Sequence, residues 1–388
     1  MKYKGEIGLI VCTIVATMIF MVSCASPAAV YISNGDKYLQ QKQWDNAIAE
    51  YNSGISRDSK FAPAYNGRGS ALLYKGQYDN SIIDFNKAIE LDPKFAAAYN
   101  QRGDAYKIKG NYENAIADFT KAIELDEKPA KAYSNRGEAY SAAGEYDKAI
   151  ADFTKAIDLD PTLAAEGINT KLATVYSNRG EGFAIKDDYE NAIANYTKAI
   201  EIDPKLDLAE VKSKLAKAYL ARGAANGIKG DLDKAIADCT SAIDADPNLA
   251  QAYQTRGAAY TFNNEIDKAI TDLKKAIDLD PQSRAHVNLG FIYISRGEWD
   301  KGINEARTGQ TNYNGRGIFL AFLMANRYSL DDYFRYAKEI QANKLSINPM
   351  ENDKIDWFLT HQNMPLTEAD ILRLFVAGVM QSWEFWWK

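Results

Sequence analysis

The sequence predicts an all-α fold: a solenoid of about eight stacked helix-turn-helix units, closed by further helices at its C-terminal end. One observation is the segment Ala-Tyr-x-x-Arg-Gly, which recurs at intervals of 34 or 43 residues, at Tyr65, Tyr99, Tyr133, Tyr219 and Tyr253, with Tyr176 in the same frame. A second is the dipeptide Asp-Pro, which keeps step with it at Pro93, Pro161, Pro204, Pro247 and Pro281. A fixed period in this range is typical of stacked supersecondary units rather than of one globular core.

Residues 130–163 show how the elements of one unit follow each other. Tyr133, Gly137 and Tyr140 fall at i, i+4 and i+7, on one face of a first helix. After Gly144 the apolar residues again share one helical face, at Tyr146, Ala149, Ile150, Phe153, Ala156 and Ile157. We expect the Asp of Asp-Pro to cap the next helix and the Pro to lie in its first turn, where no donor is lost.

Eight positions of another unit match a known repeat in order: Tyr99, Gly103, Tyr106, Gly110, Tyr112, Ala115, Phe119 and Ala122. The pattern resembles the tetratricopeptide repeat, with only the final Pro displaced, to Pro129. The resemblance covers eight units within residues 25–316, of which the first and the eighth are weaker. It implies a right-handed α-solenoid whose first helices line an inner groove.

A charged pair accompanies the repeat. An Arg precedes the Gly of each of five units, and an Asp follows sixteen residues later, as Arg68–Asp84, Arg102–Asp118, Arg136–Asp152, Arg222–Asp238 and Arg256–Asp272. We expect each pair to meet between the two helices of a unit or across to a neighbouring unit, in a structural role. The alternative is that all of these side chains are solvated surface charges.

Polar residues of the first helices form the expected groove wall. The candidates for partner binding are Asn100, Gln101, Asp104, Asn135, Glu138, Asn178 and Glu181. Amides can hydrogen-bond an extended peptide backbone, and carboxylates favour basic side chains. Chaperone-binding relatives clamp a peptide carboxylate with Lys and Asn, but Asp104 and Glu138 stand where the clamp Asn would be, so that activity is not implied.

Further along, the same wall becomes apolar, at Leu220, Ala221, Ile228, Phe262, Val287, Phe291 and Ile294. Of these, Phe262 and Phe291 are the candidate contacts for an apolar helix or a small ligand. The chain's own C-terminus could also cover this half. For any single residue of the wall, an ordinary solvated face remains the competing interpretation.

Two units are preceded by nine extra residues each, 164–172 and 207–215. Ala165, Ile168 and Leu172 have the helical spacing that Leu208, Val211 and Leu215 repeat. The stripe predicts that both segments lengthen the first helix that follows, by about 14 Å at 1.5 Å per residue. The extensions either pack on each other or form a rim that a partner grips.

The first 24 residues resemble a lipoprotein signal peptide. A short basic start precedes an apolar run over 7–22, which is short for a membrane span and typical of an export signal. Met21-Val22-Ser23-Cys24 resembles a relaxed lipobox, which implies palmitate on Cys24 and a bacterial membrane lipoprotein facing the periplasm. Ala25 favours the outer membrane. An uncleaved anchor and an ordinary cleaved signal are the alternatives.

The period is lost after about residue 316, and residues 317–388 are predicted to form a helical cap with breaks at Pro349 and Pro365. The last stretch carries Trp383, Trp386 and Trp387. These side chains either cover the end of the stack or contact a membrane or partner.

Composition narrows the functional classes. The net charge is −6, which electrostatically disfavours binding to a nucleic-acid backbone. Only His286 and His361 occur, and no phosphate loop, HExxH or nucleophile elbow is present. We therefore expect no enzyme, no metal and no cofactor, but an envelope scaffold that binds a protein or peptide in its groove. The alternatives are a small-molecule receptor near Phe262 and Phe291, and a hydrolase after residue 316.

Overall fold

The protein is an all-α solenoid of helical hairpins. The computed structural model describes residues 27–205 and 208–296, together with 298, 301, 302, 304 and 305. Within these residues there are fifteen α-helices and no strand. The predicted signal peptide, with Cys24, and the predicted cap over 317–388 lie outside the described residues. Over the ranges the structure covers, no helix combines the length and apolar character that crossing a membrane requires.

The helices alternate between a first and a second helix of each hairpin. They are α1 (Pro27–Gln40), α2 (Trp44–Arg57), α3 (Ala62–Tyr74), α4 (Tyr78–Leu91), α5 (Ala96–Ile108), α6 (Tyr112–Leu125), α7 (Ala130–Ala142), α8 (Tyr146–Leu159), α9 (Asn169–Ala184), α10 (Tyr189–Ile202), α11 (Leu208–Ile228), α12 (Leu232–Ala245), α13 (Ala250–Phe262), α14 (Ile266–Leu279) and α15 (Ala285–Ser295). Two compact units divide within α9: an N-terminal unit, Met1–Tyr176, and a C-terminal unit, Ser177–Lys388.

In several hairpins the two helices approach closely because a glycine of the first helix faces an aromatic ring of the second. In the hairpin of α5 and α6, a methyl group on Gly103 would lie 2.7 Å from Cε1 of Phe119. Phe119 is fully buried, together with Ala115 from the same helix. A larger residue at Gly103 would force the helices apart, which explains why this position of the repeat is a glycine.

The Asp of each Asp-Pro ends the preceding helix instead of capping the next one. Asp92 follows the last residue of α4, and its Oδ1 accepts a hydrogen bond from the backbone N–H of Lys94 at 3.0 Å. α5 begins only at Ala96. The expectation that this Asp caps the following helix and that Pro93 lies in its first turn is wrong, because the side chain closes a local turn two residues on.

The Arg and Asp side chains meet between the two helices of one hairpin. In the hairpin of α7 and α8, Nε of Arg136 donates to Oδ2 of Asp152 at 2.7 Å, and Nη2 donates to Oδ1 at 2.8 Å. The same two-point contact joins the other four pairs. Each of the five Asp residues is buried, which excludes the alternative of solvated carboxylates. The hydrogen bonds to Asp152 raise the pKa of Arg136, although burial opposes the shift.

The same guanidinium also reaches the hairpin before it. Nη1 of Arg136 donates to the Thr120 hydroxyl on α6 at 3.0 Å, and Nη1 of Arg102 donates to Asn86 on α4 at 2.6 Å. The Tyr three residues earlier covers the cation, with Arg136 5.4 Å from the ring centre of Tyr133. The motif Ala-Tyr-x-x-Arg-Gly thus supplies one side chain that joins three helices.

The two nine-residue extensions differ in structure. Residues Ala164–Ile168 form a single π-helical turn in which Gly167 has a φ of +104°, and α9 begins after it. The prediction of a continuous lengthened helix is therefore wrong for the first extension, and Ala165 is exposed rather than part of a buried stripe. The second extension is continuous with α11, which runs unbroken from Leu208.

Candidate functional site

A cavity of about 450 Å³ lies on the face formed by the first helices of the N-terminal unit. Three successive first helices contribute most of its lining, with Ser70, Leu73 and Tyr74 from α3, Asn100, Gln101 and Asp104 from α5, and Lys131, Ser134 and Asn135 from α7. Four of the predicted groove residues, Asn100, Gln101, Asp104 and Asn135, are among them. The repeat places these side chains together because each occupies an equivalent face of its own first helix.

The amides of the cavity are organised by hydrogen bonds between neighbouring first helices. Nδ2 of Asn135 donates to Oδ1 of Asn100 at 3.2 Å and approaches Oδ2 of Asp104 at 3.4 Å. The hydroxyl of Ser70 pairs with Oε1 of Gln101. All of these amides are half-buried, so their positions are set by the protein while part of each side chain still faces the cavity.

A charged cluster adjoins the amides. Nζ of Lys107 lies 3.1 Å from Oδ1 of Asp104 and donates to Oε2 of Glu138 at 2.6 Å, and Lys171 pairs with the other oxygen of Glu138. Asp104 and Glu138 therefore each form an ion pair with Lys107. From the sequence, Asp104 and Glu138 were predicted to be available to a partner. The wall carries less uncompensated negative charge than its composition suggests.

Burial affects the two carboxyls differently. Burial raises the pKa of Asp104, and Lys107 only partly opposes that shift. Burial also disfavours the charged form of Glu138, but the hydrogen bonds from Lys107 and Lys171 outweigh it, so the pKa of Glu138 lies below its ordinary value. Asp104 is thus the carboxyl with the weaker compensation.

The kinked turn Ala164–Ile168 closes one side of the cavity. Leu163, Glu166 and Ile168 line it, and Lys171 follows from the first turn of α9. Leu163 and Ile168 are buried, which anchors the turn, while Glu166 is exposed. The sequence predicts Glu166 and Ile168 on a lengthened helix that packs on the other extension or forms a rim for a partner, and not in the wall of the groove.

The predicted site residues of the C-terminal unit lie on three different helices, α9, α13 and α15. Glu181 pairs with Lys214 at 2.9 Å, and Asn178 is half-buried on α9. Phe262 packs against a buried cluster that contains Ala235 and Ala259 on its own and the preceding hairpin. Phe291 is half-buried on α15.

The apolar wall proposed for this half is smaller than the sequence indicated. Leu220 and Val287 are buried inside the protein, so neither is open to a partner. Ile228 remains partly exposed at the end of α11. Ile294 lies at a position whose side chain is not described.

Sequence reasoning missed the lysines that dock the two long hairpins. Lys171 and Lys214 occupy the same frame, 43 residues apart, and each pairs with a Glu on the preceding first helix, Glu138 and Glu181 respectively. Because the two glutamates are also 43 residues apart, the shared spacing was a usable signal. The pairing was missed because each Lys lies 33 residues after its Glu, in the next repeat.

Models of one repeat family match the chain over about half its length. A tetratricopeptide repeat model matches residues 130–163, and a TPR repeat model matches 69–110 and 103–144. A further tetratricopeptide repeat model matches 173–206, 216–249 and 250–283. The match over 130–163 spans α7 and α8, and the match over 250–283 spans α13 and α14. No curated protein sequence matches the chain significantly.

Solved structures with similar repeats cover parts of the chain. The crystal structure of MamA is 26% identical over 46% of this chain and 92% of its own, with a TM-score of 0.38, and MamA from Desulfovibrio magneticus RS-1 is 22% identical over 46% and 97%, also at 0.38. The TPR2AB domain of yeast Sti1 in complex with an Hsp90 peptide is 22% identical over 72% and 99%, at 0.34. At TM-scores below 0.5, these matches say nothing about what this chain binds.

Proposed function

Because the chain belongs to the tetratricopeptide repeat family, we propose that it is a non-enzymatic scaffold that binds a partner protein or peptide on the first-helix face of its N-terminal unit. The observation that carries the proposal is the cavity of about 450 Å³ lined by α3, α5 and α7. It is open, polar and built from three successive repeats.

The side chains of the cavity suit an extended polypeptide. Each amide offers both a donor and an acceptor, and Asn100, Gln101 and Asn135 present them in sequence along the face. A peptide backbone carries alternating N–H and C=O groups that need such partners when they leave water. The amides are already held by neighbouring side chains, so less conformational entropy is lost when a peptide binds.

We further propose that the scaffold works in a bacterial envelope. The support is in the sequence: a short apolar segment at 7–22 followed by the lipobox-like Met21-Val22-Ser23-Cys24. In this proposal Cys24 carries palmitate and tethers the protein to a membrane on its periplasmic side, with the outer membrane favoured. Radiolabelled palmitate should enter the wild-type chain and not a Cys24→Ala variant. Equal labelling of the two would overturn lipidation.

The alternative of a small-molecule receptor in the C-terminal unit loses its main support. Phe262 packs against its own protein core, and two of the expected apolar residues are buried. A hydrolase after residue 316 would lie outside the described residues, and no observation favours it.

Photo-cross-linking in living cells tests the scaffold directly. A photoreactive amino acid replaces Lys131, which lines the cavity, or Lys121, an exposed residue of the second helix α6 that serves as the matched control. We expect a discrete protein adduct at position 131 that is absent at position 121. No adduct, or equal adducts at both positions, would contradict a partner on this face.

A further inference from the structure

The proposed function does not say what kind of peptide the cavity selects. The carboxylates that line the cavity indicate the charge of that peptide. Asp104 and Glu166 both line the cavity, one from the floor and one from the kinked turn. We propose that the cavity selects a partner segment bearing an Arg or Lys side chain, whose cation binds at Asp104 and Glu166. This inference rests on the proposed function, since it names the chemistry of the partner for the same site.

Asp104 is a partly buried carboxylate that shares its ion-pair partner with a second carboxylate. Its side chain is only 27% exposed, and its ion-pair partner Lys107 also donates to Glu138, at a shorter distance. Asp104 therefore shares Lys107 with Glu138, which Lys171 also binds. Burial accordingly raises the pKa of Asp104. A second cation in the cavity would stabilise the ionised form of this carboxyl.

Glu166 is a carboxylate with no ion-pair partner within the described part of the chain. The kinked turn presents it at the cavity, because the left-handed φ of Gly167 ends the helical path there. The equivalent residue of the second extension is Ala209, on the straight helix α11. The free carboxylate is therefore particular to the extension that closes the cavity.

Two lysines also line the cavity, and their positions decide the balance of charge. Lys171 is already bound to Glu138. Lys131 and Glu166 are both exposed, so water and salt screen these two opposite charges alike. Asp104 lies in a more buried position, where charge interactions are stronger, so the local preference of the interior is for a cation.

The apolar rim suits the stem of a basic side chain. Leu73 and Tyr74 line the cavity at the end of α3, and Tyr74 is 62% exposed although Trp44 stacks on it at 5.0 Å. Lys and Arg lay their methylene stems along apolar surface while the charged end finds a carboxylate. An Arg can in addition stack on an exposed aromatic ring.

The test selects short random peptides displayed on phage against the full-length protein in detergent. Each selected peptide that contains Arg is then synthesised with citrulline, which keeps the shape and removes the charge, at that position. We expect the Arg form to bind about tenfold more tightly, as a charge-assisted hydrogen bond implies. In the double variant Asp104→Asn, Glu166→Gln the difference should fall below about threefold.

The control variant, Glu113→Gln with Glu124→Gln, removes two exposed carboxylates of α6 and should keep the tenfold preference. Glu166→Gln alone is a variant of an exposed residue that folds normally, and it should lose part of the preference. Asn135→Ala should weaken every cavity-bound peptide, whatever its charge. If peptides sensitive to Asn135→Ala bind equally well with Arg and citrulline, the inference fails and the scaffold stands. If no peptide is sensitive to any cavity variant, both fail.

Discussion

The two nine-residue extensions have the same length and the same apolar spacing, yet only one of them continues its helix. The first turns sharply over Ala164–Ile168, and α9 begins after it. The second is part of the unbroken helix α11. The residue equivalent to Gly167 in the second extension is Glu210. One residue with freedom to adopt a positive φ thus separates a segment that lines a cavity from one that lengthens a helix.

The two regions nevertheless share one device. A Lys of each extension, Lys171 or Lys214, pairs with a Glu of the preceding first helix. Both extensions also bury an apolar residue at the equivalent position, Ile168 or Val211. The contact of each extension with the preceding first helix and the path of its backbone therefore depend on different residues. The shared Lys and apolar residues make the contact, and Gly167 sets the path of the first extension.

The largest expected effect comes from the arginines of the hairpins next to each extension. Arg136→Met leaves Asp152 buried without its cation, and we expect a loss of about 3 kcal/mol in the free energy of unfolding. Arg222→Met should cost less, about 2 kcal/mol, because Asn226 also donates to Asp238, at 3.0 Å, and Arg222 is more exposed. Urea unfolding followed by circular dichroism measures both. A neutral Arg136→Met would show that the pair does not stabilise the fold.

Exchanging the residues that distinguish the extensions should give the next largest effect. Gly167→Glu places a side chain at a φ of +104° and should cost about 2 kcal/mol. Glu210→Gly puts a poor helix former in the first turn of α11 and removes a contact with Lys214, and it should cost about 1 kcal/mol. Thermal unfolding of the two variants provides the comparison. A Gly167→Glu protein as stable as the wild type would mean that the positive φ is not required.

The docking lysines should contribute less. Lys171→Met and Lys214→Met remove partly exposed ion pairs, and each should cost between about 0.5 and 1 kcal/mol. The loss at Lys214 should be the larger, because it lies 2.9 Å from Glu181 and 3.0 Å from Glu210. Both losses should shrink in high salt. If salt leaves them unchanged, the lysines act through packing of their stems instead.

The smallest effect concerns pH and is confined to the first extension. The pKa of Glu138 lies below its ordinary value of 4.5 because the bonds from Lys107 and Lys171 outweigh burial. A carboxyl with a lowered folded-state pKa stabilises the fold above the unfolded pKa and loses that contribution as pH falls through the folded pKa. Glu138→Gln should therefore flatten the decline of stability below about pH 4.5, by less than about 1 kcal/mol. An unchanged pH profile would contradict the shift.

Much of the fold follows from the period and the helical spacing alone, and the structure confirms the all-α solenoid. The constant separation of sixteen residues also indicates which Arg meets which Asp, because a repeated hairpin repeats its contacts. The groove residues Asn100, Gln101, Asp104 and Asn135 follow from their place on the first helices. These features lie within one repeat, so they recur at a fixed spacing and can be recognised in the sequence.

The features that the sequence did not predict involve residues whose type allows more than one conformation and does not select between them. Gly167 is compatible with a weak helix as well as with a kink, so its positive φ could not be read from the sequence. Asp92 can cap a helix or close a turn with equal chemistry, and only the start of α5 decides between them. The pairing of Lys107 with Glu138 depends on the distance between successive repeats, which the sequence does not give.

The most direct measurement joins the extension comparison to the proposed function. A peptide is first selected on the full-length wild-type chain. Its affinity is then measured for the wild type and for the variants Gly167→Glu and Glu210→Gly. We expect Gly167→Glu to weaken binding about tenfold, because straightening the turn removes Glu166 and Ile168 from the cavity, and Glu210→Gly to leave it unchanged. Equal affinities for both variants and the wild type would contradict a binding site built by the kinked turn.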